Sequence, residues 1–172
     1  MDKLQVAGRR GGFTLAPEAA SERMREIINK PVSTKQLLET AREIYSRGWT
    51  TLKLYFMIGH QSEPLEDVQE IADLAKAVLA EGRKVMGGKA KLNVGVSTFV
   101  PKPHTPFQWS PSDSFEQIEL KQRLLRREVR GRGLKLNLNK PHETMMESWS
   151  VSYTHLRAHE TRHDLVCRLL LE

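Results

Sequence analysis

The stretch Thr51-Leu52-Lys53-Leu54-Tyr55-Phe56-Met57-Ile58 decides the fold. It is almost wholly apolar after Lys53, rich in aromatic and large aliphatic residues, and bounded by Gly48 behind and Gly59 ahead. A run this short with such boundaries reads as a strand covered on both faces, the kind that belongs to a parallel sheet. Helical periodicity lies on either side of it, and beyond each helix lies another candidate strand, so the unit repeats as strand, loop, helix. In parallel α/β folds the reacting groups gather in the loops after the carboxyl ends of the strands. Gly59-His60-Gln61-Ser62-Glu63 is therefore the first place to look for function.

Outward toward the amino end, Arg9-Arg10-Gly11-Gly12 leads into the candidate strand Phe13-Thr14-Leu15-Ala16, where Pro17 is expected to end ladder pairing. Glu18 to Asn29 carries Met24, Ile27 and Ile28 at helical spacing, with Glu18 and Glu22 near the positive end of the helix dipole. Ser33 with Gln36 forms a capping-box signature, and Leu37, Leu38, Ala41, Ile44 and Tyr45 draw an apolar stripe that stops at Gly48. In the other direction, Pro64 suits the first position of a helix whose stripe runs from Leu65 through Leu79 and stops at Gly82. The spacer from Gly87 to Lys91 reads as flexible. Leu92 to Phe99 alternates as a third strand, in which Gly95 marks a close backbone approach. Three prolines, Pro101, Pro103 and Pro106, hold the following loop to Trp109 extended and stiff. Ser114 with Gln117 opens a last long helix carrying Ile118, Leu120, Leu124, Leu125 and Val129, and Leu134 to Leu138 reads as one more strand.

Right-handed crossovers would set these strands side by side with their loops at one rim. The expected fold is α/β: a partial TIM-type (β/α) barrel fragment over residues 1–149, with about three consecutive parallel β/α units plus a final short strand. A closed barrel needs roughly 250 residues, more than the 172 present, and two raw sheet edges invite association, so the missing N-terminal barrel half is the expected partner.

Hydrophobic residues make up 39% and charged residues 28% of the chain, and no apolar run nears the roughly 20 residues that span a bilayer. No membrane association and a cytoplasmic location are the expectations, since the start from Met1 has no signal-peptide core. The net charge of +6 could mark a polyanionic partner. The dense cluster Arg123, Arg126, Arg127, Arg130 and Arg132, however, falls on one helix and its exit without interleaved aromatic residues, so a solvated face is the preferred reading over nucleic acid.

From Val151 onward the periodic patterns stop. Val151 to Thr161 resembles the translation of a transposase-type sequencing adapter, and Asp164 to Leu171 that of a flow-cell primer in the same frame. Residues 150–172 are accordingly set apart as a non-native tail, disordered or a spurious helix. The series His155, His159 and His163 would otherwise suggest a metal site at helical spacing; with it removed, no metal ligand is expected in the chain. Cys167, the one cysteine, leaves with the same tail.

Taken together, Phe13-Thr14-Leu15-Ala16-Pro17-Glu18-Ala19-Ala20-Ser21-Glu22-Arg23-Met24, Lys53-Leu54-Tyr55-Phe56-Met57-Ile58-Gly59 and Ser97-Thr98-Phe99-Val100-Pro101-Lys102-Pro103-His104-Thr105-Pro106-Phe107-Gln108-Trp109 resemble the later half of the radical S-adenosylmethionine (SAM) barrel, above all radical SAM proteins fused to a cobalamin-binding domain. The resemblance spans nearly all of residues 11 to 148. It implies an iron-sulfur enzyme that generates a radical from SAM at a 4Fe-4S cluster, possessing an unknown substrate and in some members cobalamin. It implies that Glu18 and Ser21 contact the ribose and polar end of SAM, that Met57 packs on adenine, that Gly59 lets the ligand approach, and that the Val100 backbone meets the adenine edge. Lys102 and His104 would stand at the rim facing substrate. The chain departs from the pattern at Ala20, where glycine is usual, and at His60-Gln61-Ser62-Glu63, where Leu-Pro-Thr-Glu is usual. Three cluster thiolates cannot come from this chain, so the piece alone is expected to be inactive.

Read without the resemblance, Glu18 is an acidic helix-start residue, Met57 plain core, Ser21 a surface residue of a first helical turn, and Lys102 and His104 caps of a stiff loop. His60 reads as solvent-exposed, and Phe107 and Trp109 as closing the barrel mouth. Three functions follow: a fragment of a radical SAM enzyme supplying part of the SAM pocket; a non-catalytic basic RNA-binding module; and an unrelated phosphate-binding barrel, for which no glycine-rich phosphate loop is visible.

Overall fold

In the computed structural model, residues 12–142 and Met146 are described. The adapter-like tail, its histidines and Cys167 lie outside the described residues. The elements follow one another as β1 (Phe13–Glu18), α1 (Glu22–Ile27), α2 (Thr34–Ser46), β2 (Thr51–Ile58), α3 (Leu65–Met86), β3 (Lys91–Thr98), α4 (Phe115–Glu128) and β4 (Leu134–Leu138). The strands form one four-stranded sheet in the order β1-β2-β3-β4, every pair parallel. This is an α/β fold in which a parallel sheet alternates with helices, a partial β/α barrel-like fragment.

The register explains where the core lies. Leu52, Leu54, Phe56 and Ile58 of β2 are at most 1% exposed, level with Leu92, Val94, Val96 and Thr98 of β3. All but Thr98 form one cluster with Leu37, Ala41, Ile44 and Tyr45 of α2, with Val68, Ile71, Ala75 and Val78 of α3 and with Leu125 of α4. All of these strand residues share one parity, so the helices cover one face of the sheet. Each such side chain withdrawn from water contributes about 1.5–3 kcal/mol before chain entropy is counted. The alternate residues Lys53, Tyr55 and Met57 point the other way, and Tyr55 remains 45% exposed. Among the described residues β2 is thus covered on one face, not both: Tyr55 and Met57 make the run look uniformly apolar, yet they occupy the side that no described element covers.

Local readings are corrected at several points. Pro17 does not end β1, which continues to Glu18 across a bulge between Leu15 and Glu18. An edge strand tolerates proline there because one of its sides carries no ladder. Glu18 consequently ends a strand with φ +66°, and α1 begins only after the Ser21 cap. Gly82 does not stop α3, which runs on to Met86 and gives way at Gly87, where φ is +60°. What Gly82 supplies is room: a Cβ there would lie 2.6 Å from the ring of Tyr45, whose hydroxyl donates to the Lys91 carbonyl at 3.0 Å. The residues Gly87–Lys89 form a short 3-10 turn leading directly into β3. At Gly95 the approach is that of a side chain, with the Tyr55 ring where a Cβ would come within 2.7 Å. Pro64 stands at the cap of α3 rather than inside its first turn. The capping box of α2 is complete, with Ser33 Oγ accepting from Gln36 N–H and the Gln36 side chain accepting from Ser33 N–H. Among the described residues no helix is long and apolar enough to cross a membrane.

Candidate functional site

Parallel strands deliver their exits to one end of the sheet, and the register sets the levels: Glu18 beside Phe56, and Ile58 beside Thr98. Glu18, Gly59 and Val100 therefore leave three adjacent strands at the same rim.

At the first exit the Glu18 carboxylate is half-exposed and pairs with Lys30 at 3.3 Å. Ala19 and Ala20 behind it are buried, and both carbonyls accept from the guanidinium of Arg25, at 3.2 and 2.7 Å. Arg25 is fully buried, reaches Thr34 Oγ1 at 2.7 Å, and has its pKa pulled down chiefly by that burial. Ser21 is buried too and is no surface residue, since its Oγ caps α1 by accepting from Met24 N–H at 3.2 Å. Arg23 ties this exit to the next, donating to the Ser62 carbonyl at 2.7 Å and pairing with Asp67.

The second exit holds the strongest electrostatics. Gly59 turns with φ +94°, and its N–H donates to Glu63 Oε2 at 2.8 Å. Lys121 Nζ, 3% exposed, reaches from α4 to donate to the same Oε2 and to the Glu63 carbonyl, each at 2.8 Å. It also lies 2.7 Å from Asp113 Oδ2, a charge contact without hydrogen-bond alignment. Asp113 N–H in turn donates to the Gly59 carbonyl at 3.3 Å. Burial pushes the Glu63 carboxyl up from its usual range, against the pull of Lys121 and the Gly59 N–H. Within this network Asp113 Oδ2 is answered by charge alone. The effect of the network is to hold the turn after β2 against the start of α4.

His60 is 5% exposed, which corrects the expectation that it faces solvent. Its ring is wedged against Phe99, centroids 5.2 Å apart, and Phe107, 4.9 Å apart. Nδ1 accepts from Ser62 N–H at 3.2 Å, which puts the proton of the neutral ring on Nε2, a buried atom with no partner. Desolvation is the main reason its pKa falls, with Asp113 opposing and Lys121 assisting.

At the third exit Phe99 N–H donates to the Ile58 carbonyl at 2.7 Å, and Val100 is buried just beyond. Lys102 and His104 stand exposed further out in the proline loop, His104 with φ +62°. Phe107 packs on His60, whereas Trp109 is 89% exposed and covers nothing. Met57 is half-buried on the uncovered sheet face, level with Ser97. Of the expected site residues, the rim thus unites Glu18, Gly59 and Val100; Ser21 caps α1, Met57 faces the open side of the sheet, and Lys102 and His104 are exposed on the loop that follows Val100.

Sequence reasoning missed Lys121, Asp113 and Arg25, and named Glu63 only as part of the loop after β2, without its ion pair. A signal existed for Lys121: it sits between Ile118 and Leu125 at helical spacing, on the face that α4 buries, and a lysine in that stripe needs an acidic partner.

The uncovered face carries a groove of about 340 Å³ lined by Lys53, Tyr55, Asn93, Ser97, Asn137 and Asn139 among others. Among the described residues no group of three His, Cys, Asp or Glu side chains could hold a metal ion. A 4Fe-4S cluster does not fit this chain, which has one cysteine and would need three thiolates. Arg123 and Arg127, exposed on α4, pair with Glu119 at 3.2 Å and Glu128 at 2.9 Å, so their charge is partly answered on the helix itself.

The class defined is an α/β protein with a sequentially ordered parallel sheet, one helix-covered face and a rim of strand exits. Over 109 residues the chain is 36% identical to an uncharacterized protein of Methanocaldococcus jannaschii, an alignment covering 63% of this chain and 23% of that protein. The chain thus spans about a quarter of the length of the curated relative it matches. No family model matches it, and no solved structure matches it.

Proposed function

We propose that this chain is part of a radical SAM enzyme and supplies one side of its SAM pocket. The observation that carries the reading is the common rim: neighbouring parallel strands end with a carboxylate at Glu18, a side-chain-free turn at Gly59 and a buried backbone at Val100. The donor set suits a nucleoside. Glu18, half-exposed, can accept from vicinal hydroxyls, and the left-handed Gly59 offers backbone without a Cβ. SAM, when bound beside a reduced cluster, supplies a carbon-centred radical. This chain's residues would bind and orient the nucleoside, and the Lys121 network would keep the Gly59 turn in place. The cluster ligands would have to come from another part of the protein, and the reading includes no step through them. Cobalamin use is carried by the resemblance alone.

The test is binding of SAM to the chain followed by amide NMR. Saturable shifts confined to Glu18, Gly59 and Val100 are expected, with Glu18→Ala weakening affinity by about ten- to a hundredfold, the worth of hydrogen bonds to a charged acceptor. Unchanged affinity in that variant removes the assignment. A second check is the genomic reading frame upstream of Met1, where the absence of a three-cysteine motif would remove the enzyme.

A further inference from the structure

We infer that the face of the sheet left open by the described residues is a binding site for a small molecule carrying two or more anionic groups, carboxylate or phosphate. The inference goes beyond the SAM rim and stands whether or not that rim takes a nucleoside. Its basis is the register. Thr14, Lys53, Asn93 and Lys135 lie side by side across the four strands, and the next row is Tyr55, Gly95 and Asn137. The second face of a parallel sheet is ordinarily covered by apolar layers and reads as valine, isoleucine and leucine. Here it offers two ammonium groups, two carboxamides and a phenol hydroxyl, and neither row contains a carboxylate. An apolar layer laid over it would leave every one of these groups without a hydrogen bond, so the occupant is polar.

The sign of the charge follows. Neither Lys53 nor Lys135 has an ion-pair partner among the described residues, in contrast to Lys30, which has one, and to Lys76 and Lys121, which have two each. The Lys53 stem runs close by Gly12, where a Cβ would come within 3.1 Å of Cε. The Tyr55 ring occupies the place a Cβ on Gly95 would take, and both residues line the groove of about 340 Å³. Ser97 contributes less, since its hydroxyl already donates to the Phe56 carbonyl. Lys53 lines the groove and Lys135 stands beyond it in the same row, next to Asn93; the two rise from strands separated by one other, roughly 10 Å at the backbone, a spacing that flexible side chains can close on two anionic groups of one ligand. Carboxamide N–H groups then complete the donor set, as acceptor-rich anions require.

The experiment titrates the whole chain with pyrophosphate and, separately, with citrate, by calorimetry and amide NMR, with spermidine and a short single-stranded RNA as comparisons. Saturable binding of at least one small anion is expected, with shifts at Lys53, Gly95 and Asn137. Lys53→Gln and Lys135→Gln should each weaken it about tenfold, while Arg123→Gln changes nothing. Both lysine variants lie on an uncovered face, and an unchanged urea midpoint verifies that they fold. Absence of saturable binding by both anions overturns the inference. So does equal binding of spermidine, RNA binding in the absence of small-anion binding, shifts confined to the α4 arginines, or affinity insensitive to Lys53→Gln. SAM shifts at the rim are a separate readout: their loss with anion binding intact removes only the SAM reading, and the converse removes only this one.

Discussion

Replacing Lys121 by methionine keeps the length and apolar stem of the side chain while deleting its charge. In the native chain that ammonium meets Glu63 Oε2 and the Glu63 carbonyl at 2.8 Å each and Asp113 Oδ2 at 2.7 Å, with 3% of its surface exposed. The variant leaves the Glu63 carboxylate buried with only the Gly59 N–H as donor and with Asp113 as a like-charged neighbour. Removing one partner of a buried pair costs about 3–5 kcal/mol, a large share of the roughly 5–15 kcal/mol by which domains are stable. Asp113 is 16% exposed and relaxes toward water, so the lower end, about 3 kcal/mol, is expected. The pH dependence has a definite sign. With Lys121 gone, burial raises the folded-state pKa of Glu63 further above its unfolded value, and such a group contributes stability below the unfolded pKa that is lost as pH rises through the folded one. The deficit should therefore be larger near pH 7.5 than near pH 5, read as urea midpoints at constant m. Adding Glu63→Gln, which retains an acceptor for Gly59 N–H without the charge, should recover part of the loss. A deficit under about 1 kcal/mol, or one equal at both pH values, would refute the view that this network holds the turn.

Gly82→Ala should destabilise despite the better helix former: the new methyl meets the Tyr45 ring at 2.6 Å, and overpacking of about 1–3 kcal/mol outweighs a gain near 1 kcal/mol, visible as a lower thermal midpoint. Glu18→Gly relieves a left-handed backbone and should raise stability by roughly 1 kcal/mol while weakening SAM binding, so calorimetric stability and affinity should move in opposite directions. The depressed pKa of His60 contributes stability that is complete above the ordinary histidine value and is lost as pH falls toward the folded one. His60→Gln should flatten that loss in urea titrations between about pH 7 and pH 5, and an unaltered slope counts against it. Tyr45, whose pKa is pushed up to about 12 by burial, should cost about 1 kcal/mol on change to phenylalanine, because the Lys91 carbonyl loses a donor.

Much of the architecture was legible because it rests on local signals. The Ser33 and Ser114 caps, the stripe of α2, the last strand and most of the stripe of α4 follow from spacing alone, although Leu120, placed in that stripe by its spacing, is exposed. Termini and close approaches were not. Gly82 reads as a stop in any sequence, and only the position of Tyr45 in space gives the glycine a different use. The second face of β2 misled for a related reason: Tyr55 and Met57 are apolar enough to pass for core, whereas their real partners, Gly95 and Ser97, are 40 residues on. The rim is legible to the extent that strand order is, since parallel neighbours must end together. The Lys121, Glu63 and Asp113 network was not, because attraction between charges 58 residues apart leaves no local pattern.

The strictly sequential strand order, β1 to β4, has a developmental consequence for the chain as it leaves the ribosome. Each strand docks on the one made just before it and inherits its alignment from that template, so order can spread in the direction of synthesis without waiting for distant segments. The same rule makes the fold extensible: a further strand and helix appended at either free edge would meet a surface already set to receive them, with no rewiring of what came earlier.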